Sequence, residues 1–215
     1  MLREVAADVR DTAEQIGCST LAPRVMMAMA KVPRHEFVPE AARSSAYVNA
    51  PLSIGHGQTI SQPYIVAAMT ELAEVGEGDT VLEVGTGCGY QSAVLAELAE
   101  RIYSIELVPE LAHQAAERLA RLGYANVEVR VGDGCAGWPE HAPFDAIVVT
   151  AAARELPPPL IAQLKRGCRM VIPLESGLFG QDLSVIERGA DDRVEQRKLL
   201  PVRFVSLRQE ALEER

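Results

Sequence analysis

Glycines at 85, 87 and 89 alternate with Thr86 and Cys88 and follow the run Val81-Leu82-Glu83-Val84, a spacing that brings bare backbone close to a ligand. Side chains at the glycine positions would block both the approach and the backbone angles of such a turn. A buried strand that stops at a glycine turn and restarts as a helix opens an α/β nucleotide-binding sheet, with the ligand beyond the carboxyl end of the strand. Two acids fall where the next two strands of that sheet would end. Glu106 lies 17 positions after Gly89 (106 minus 89), which suits an acceptor for the two hydroxyls of a ribose. Asp133, flanked by Gly132 and Gly134, can face an adenine amine with room for the ring. Taken singly, Glu106 reads as a solvated acid and Asp133 as an Asx turn, but their joint placement at one sheet edge favours a nucleotide. Asp145 begins its strand, so it falls at the opposite edge and is expected to be structural.

The elements that must position these groups follow from hydrophobic spacing. Strands are predicted at 80–84, 101–105, 127–131, 144–150 and 169–173, alternating with helices at 92–99, 109–122 and 157–164, and Gly167 is expected to close the turn after the last of these. Such alternation implies a doubly wound, mostly parallel α/β sheet. Before it, Leu2, Val5, Val9, Ala13 and Ile16 mark an amphipathic helix ended by Gly17, a second helix runs from Thr20 to the break before Pro33 with a methionine core stripe, and a third covers 62–73. Residues 33–63 have no regular period but are rich in aromatic, histidine, proline and glycine residues, which marks a functional irregular segment. Two C-terminal strands, 183–187 and 202–205, are expected as a hairpin or meander around the polar stretch 189–193. With no linker or repeat, the chain is expected to be one domain over 1–215: an N-terminal helical and irregular cap (1–78), a cofactor-binding core (79–175) and C-terminal antiparallel strands with a tail (176–215).

Composition narrows the partners. The 215 residues carry 21 Lys and Arg against 30 Asp and Glu, a net charge of −9, which argues against a protein whose affinity comes from phosphate backbones. No apolar run approaches the roughly 20 residues of a membrane span, and the charged N-terminal stretch lacks a secretory core, so the expectation is a cytoplasmic protein, as a monomer, without membrane or nucleic-acid partners. Cys18, Cys88, Cys135 and Cys168 are scattered without metal-site spacing and read as free thiols.

The glycine spacing helps to choose the nucleotide. A dinucleotide site prefers G-x-G-x-x-G, whereas Tyr90 follows Gly89 here and no third glycine falls in that place. Glu83, just before the turn, is expected to add negative charge that suits a cationic ligand. Glu83-x-Gly85-x-Gly87-x-Gly89 resembles the first motif of class I methyltransferases, which use S-adenosylmethionine, a sulfonium donor. Further, Pro33-Arg34-His35-Glu36-Phe37-Val38-Pro39, Ala46-Tyr47, Pro51-Leu52 and above all Gly57-Gln58-Thr59-Ile60-Ser61-Gln62-Pro63 resemble the N-terminal region of protein-L-isoaspartate O-methyltransferases. The similarity continues through Gly132-Asp133-Gly134, Phe144-Asp145-Ala146-Ile147 and Pro201-Val202-Arg203-Phe204-Val205 and covers nearly the whole chain.

That resemblance implies methyl esterification of the free carboxylate of isoaspartyl residues in peptides and proteins, with S-adenosylhomocysteine as the second product. The ester then closes spontaneously to a succinimide that hydrolyses partly to aspartate. It implies a cofactor pocket from Thr59 and Ile60, from Glu83, Gly85, Thr86, Gly87 and Gly89, and from Glu106, Leu107, Asp133, Gly134 and Thr150, with no metal. Ser61 is the expected catalytic residue, orienting the carboxylate; its competing reading is an N-cap for the helix that contains Pro63. A carboxylate is already ionised at neutral pH, so positioning should dominate, and alignment can lower a barrier by up to roughly 7 to 11 kcal/mol. His35 and His56 are therefore expected to be structural. Cys88 stands where serine is common, which would make the cofactor loop oxidation-sensitive, Asn49 where an acid is common, and Ala151-Ala152-Ala153-Arg154 where the turn is usually richer in proline. The loop 177–180 is a candidate substrate edge and the acidic residues 210–215 a solvated end. Other readings are the same scaffold acting on another peptide carboxylate and a non-catalytic S-adenosylmethionine-binding regulator; an adenine N6-methyltransferase is disfavoured because Thr150-Ala151-Ala152 lacks the Asn/Asp-Pro-Pro-aromatic site.

Overall fold

The computed structural model describes residues 1–177 and 180–207. Its centre is a seven-stranded sheet, built of β3 (Thr80–Val84), β4 (Arg101–Glu106), β5 (Val127–Val131), β6 (Phe144–Val149), β7 (Leu164–Ser176), β8 (Gly180–Arg188) and β9 (Val194–Pro201). The spatial order is β5-β4-β3-β6-β7-β8-β9. Strands β3 to β7 pair in parallel, and β8 and β9 add antiparallel at one edge. The chain leaves β3 in one direction and returns to its other side at β6, so the gap beyond the ends of these two strands is a topological switch point, where open α/β sheets bind ligands.

Alternation along the strands separates two cores. Val81, Ile102, Ala146, Val148 and Val171 face one side of the sheet, where they meet α4 (Pro63–Leu72), α5 (Tyr90–Ala96) and Leu119 of α6 (Pro109–Arg121). Leu82, Val84, Ile147, Val149 and Ile172 face the other, against Trp138, Phe144 and Leu160 of α7 (Pro158–Gln163). The first side also carries the N-terminal cap: α1 (Leu2–Asp11), α2 (Ala13–Ile16) and α3 (Pro23–Lys31). The helix expected over 2–16 is thus broken at Thr12, whose hydroxyl bonds back to Asp8 O at 2.8 Å and to the Tyr64 hydroxyl at 2.6 Å. Asn49 ties the same corner together, donating to Asp8 Oδ2 and accepting from Tyr64 N–H. An acid there would face the Asp8 carboxylate, which gives this chain a physical reason for the amide.

Three further expectations about the elements are corrected. The irregular segment contains a hairpin, β1 (Leu52–Gly55) and β2 (Gln58–Ile60), turned through Gly55, His56 and Gly57, all at positive φ. Gly167 does not close a turn before the strand: β7 begins at Leu164, and the residues between the Phe144 and Ala146 pairings form a bulge that Gly167, at φ 78°, accommodates. The last strand is 194–201, not 202–205, because the polar residues of β9 form a solvent-exposed edge strand held by main-chain pairing with β8. Asp145 is structural as expected, accepting from Thr80 N–H and from Lys165. Leu178 and Phe179 of the candidate substrate loop, and residues 210–215, lie outside the described residues.

Candidate active site

The turn after β3 is held from three sides. Thr150, the first residue past β6, donates from its backbone N–H to Val84 O at 2.8 Å and from its hydroxyl to Gly85 O at 2.5 Å. A Cβ on Gly85 would lie 2.4 Å from Thr150 Oγ1, and the residue sits at φ 96°, so side-chain freedom is excluded there twice over. Glu106, at the end of β4, accepts from Gly87 N–H through Oε2 at 2.8 Å and from Val108 N–H through Oε1 at 2.9 Å. Arg118 of α6 donates to Cys88 O at 2.9 Å.

Above this turn lies a cavity of about 300 Å³. From the cap, Thr59, Ile60 and Ser61 line it; from the sheet edge Gly85, Thr86, Gly87, Glu106, Leu107, Gly134 and Thr150 do so. Ten of the thirteen site residues expected from sequence are thus brought together around one space. Among its described lining residues Glu106 is the one acid and Arg203 the one base. The fit to a nucleoside is chemical as well as geometric: both Glu106 oxygens retain lone pairs for ribose hydroxyls, and Gly134 lets its segment close onto β3, since a Cβ there would lie 2.2 Å from Val84 Cγ1. His35, bonded to the Tyr47 hydroxyl, and His56, at the hairpin tip, do not line the cavity. Among the described residues no group of three or more His, Cys, Asp or Glu side chains is gathered to hold a metal.

Three residues fall elsewhere. Glu83 points down from the turn, between β3 and α5, where it is fully buried and accepts from the hydroxyls of Ser92 and Ser104, the latter at 2.6 Å. It shares with Val81 the face covered by the helices, alternating with Leu82 and Val84, so its carboxyl does not face the cavity as expected. Gly89 opens α5 and faces α6; a Cβ there would press on Leu119 Cδ1 at 3.2 Å. The Asp133 carboxylate accepts from Cys135 N–H at 2.8 Å, the Asx turn of its competing reading, while Gly134 beside it lines the cavity. Burial pushes the Cys88 thiol up to about 11, which keeps it protonated and works against oxidation sensitivity.

Burial also pushes Glu83 up to about 7, against the pull of the two serine hydroxyls and with a further rise from Glu106. The native carboxyl then holds its proton to about pH 7, whereas the unfolded chain releases it near 4.5. Stability tied to Glu83 is complete below the lower value and is lost as pH rises through the interval, on the order of 3 kcal/mol in all. Glu83→Gln, which cannot titrate, should therefore gain several degrees in Tm relative to wild type between pH 5 and pH 8, as measured by thermal melts. A constant offset would show that Glu83 titrates as an ordinary acid.

Sequence reasoning missed the far wall of the cavity, residues 201–207. This segment follows β9 and is pinned by Gln181, whose side chain accepts from Phe204 N–H at 2.6 Å and donates to Phe204 O at 3.1 Å. Ala152 N–H donates to Val205 O, and Leu207 N–H to Ala152 O, closing the segment against the end of β6. The apolar run Val202, Phe204, Val205 was the available signal, read there as a strand.

Ser61 lies at the cap side of the cavity, with its backbone O accepting from Arg34 Nη2 at 2.7 Å. The N-cap of α4 is Gln62, and the Ser61 hydroxyl makes no hydrogen bond among the described residues, so the capping reading fails. Its donor is left for a ligand.

The sequence model described as Protein-L-isoaspartate(D-aspartate) O-methyltransferase matches residues 12–212. Protein-L-isoaspartate O-methyltransferase 2 of Syntrophobacter fumaroxidans is 60% identical over 96% of this chain and 84% of its own length. The protein of the same name from Polaromonas sp. (strain JS666) is 58% identical over 96% of this chain and 98% of its own. A solved protein-L-isoaspartate O-methyltransferase superposes with a TM-score of 0.83 at 27% identity, covering 96% of this chain, which spans 65% of that longer one. A Plasmodium falciparum protein solved in complex with S-adenosyl-L-homocysteine shares the fold, with a TM-score of 0.77 at 24% identity over 94% of this chain and 98% of that one. The chain belongs to the protein-L-isoaspartate(D-aspartate) O-methyltransferase family.

Proposed function

We propose that the protein methylates the free carboxylate of isoaspartyl residues in peptides and proteins, taking the methyl group from S-adenosylmethionine and starting repair through a succinimide. The observation that carries this reading is the cavity itself, lined by the carboxylate of Glu106 and by the hydroxyl of Ser61, which is unbonded among the described residues, in a chain of this family. S-adenosylmethionine, when bound, supplies a methyl group on a cationic sulfur. Glu106 accepts from the ribose hydroxyls while its other lone pairs keep the Gly87 and Val108 amides fixed. Ser61 donates to one oxygen of the acceptor carboxylate and so turns the other toward the methyl group. Ile60, Ile65, Val202 and Phe204 exclude water from the space between, and the exposed cation of Arg203 attracts an anionic substrate to the rim.

The bookkeeping of atoms is simple. An O–CH₃ bond forms as the S–CH₃ bond breaks, carboxylate and sulfonium charges are both discharged, and no proton moves. No general base is required, in keeping with the absence of His35 and His56 from the lining. The test is chemical: methyl groups transferred to an isoaspartyl peptide should be released by mild base, as esters are, and a base-stable label would refute esterification. A cytoplasmic monomer without nucleic-acid partners is part of the same proposal; the net charge of −9 supports the last point, and sedimentation checks the monomer.

A further inference from the structure

Arg34 heads the fully buried side chains by size, and its charge has no carboxylate beside it. Among the described residues it meets carbonyls and a ring: Nε donates to Ala46 O at 2.8 Å, Nη2 donates to Ser61 O at 2.7 Å, and Cζ lies 4.7 Å from the centroid of Tyr90. Among the described residues the buried Nη1 has no hydrogen-bond partner within ordinary geometry. Burial holds the guanidinium below its usual range, only partly offset by the Tyr90 hydroxyl. Removing an ion from water costs several kcal/mol, and apolar residues of similar volume commonly replace buried ions without loss of stability. Space filling alone therefore does not call for an arginine.

The contacts join the two halves of the site. Ser61 belongs to the cap and lines the cavity, and Tyr90, the first residue of α5, directly after the glycine turn, lines it as well. One rigid planar fork thus ties the peptide unit that carries the Ser61 hydroxyl to the ring beside the glycine turn, with Ala46 as a third anchor. We infer that Arg34 is a positioning residue for methyl transfer, fixing the Ser61 main chain so that its hydroxyl meets the acceptor carboxylate. The inference rests on the proposed role of Ser61. Lysine keeps the charge but cannot supply the fork and the ring stacking together.

The test is a double-mutant cycle read in kcat on an isoaspartyl peptide, with S-adenosylhomocysteine affinity measured alongside. Arg34→Lys should lower kcat about 10-fold, since small misplacements of reacting groups have effects of this size, while the cofactor-product Kd stays within about 3-fold. The decisive arm is Arg34→Lys combined with Ser61→Ala: it should be no slower than Ser61→Ala alone, because Arg34 acts through that hydroxyl. Multiplicative losses, or an Arg34→Lys variant with wild-type kcat, would overturn the inference. If Arg34→Lys does not fold, Arg34→Met, which removes the buried charge, takes its place in the same cycle with the same expected outcomes. A wild-type protein inactive on isoaspartyl peptides would instead overturn the functional reading, so the two failures are distinguishable.

Discussion

Glu106→Ala is expected to weaken S-adenosylmethionine binding about 100-fold in calorimetry. Hydrogen bonds to a charged acceptor contribute roughly 1.5 to 3 kcal/mol each, and losing about 3 kcal/mol corresponds to two orders of magnitude in Kd. Both ribose hydroxyls have this one acceptor in the proposed site, since Glu106 is the only acid among the described lining residues. The substitution also strips Gly87 N–H and Val108 N–H of their acceptor, so the turn loosens as well. Glu106→Gln offers one oxygen instead of two and should fall between, about 10-fold weaker than wild type. At saturating cofactor the alanine variant should recover most of its kcat, because Glu106 touches the ribose and not the reacting atoms. A Kd within 3-fold of wild type would remove Glu106 from the cofactor site.

Ser61→Ala should have the opposite signature. The hydroxyl has no partner to lose among the described residues, and the N-cap position of α4 is Gln62 rather than Ser61, so stability should change little. A single hydrogen bond to the acceptor carboxylate contributes roughly 1.5 to 3 kcal/mol, so kcat should fall about 10- to 100-fold while S-adenosylhomocysteine affinity remains within about 3-fold. Initial rates at saturating cofactor, with calorimetry on the same preparations, separate the two. A variant that loses cofactor affinity but keeps kcat would place Ser61 in the donor half of the site.

What the sequence disclosed, and what it did not, divides along physical lines. β3 and β6 were readable because each is a short, largely apolar run covered on both faces, β4 because it follows β3 in the β-α alternation, and the acids and glycines at the strand ends fall at one edge by the logic of a parallel sheet. β9 was not, since its side chains are exposed and polar and its stability comes from backbone pairing with β8. The apolar residues mistaken for that strand, Val202 to Val205, instead serve the cavity wall, a tertiary role that leaves the same local pattern. Glu83 was placed correctly in its strand but on the wrong side of its own function: alternation along β3 turns it toward Ser92 and Ser104, away from the ligand space. Arg34 carries no periodicity at all. Within Pro-Arg-His-Glu-Phe it looks like an ordinary loop cation, and only the approach of Ala46, Ser61 and Tyr90 from distant parts of the chain gives it a purpose.

Selectivity for the isoaspartyl linkage is read most directly from the initial rate of methyl transfer from S-adenosylmethionine to two peptides that differ only in one linkage, isoaspartyl in one and aspartyl in the other. Base-labile methylation of the isoaspartyl peptide is expected, and none of its aspartyl twin. Equal methylation of both, or methylation of neither by protein that binds the cofactor, would contradict the proposed function.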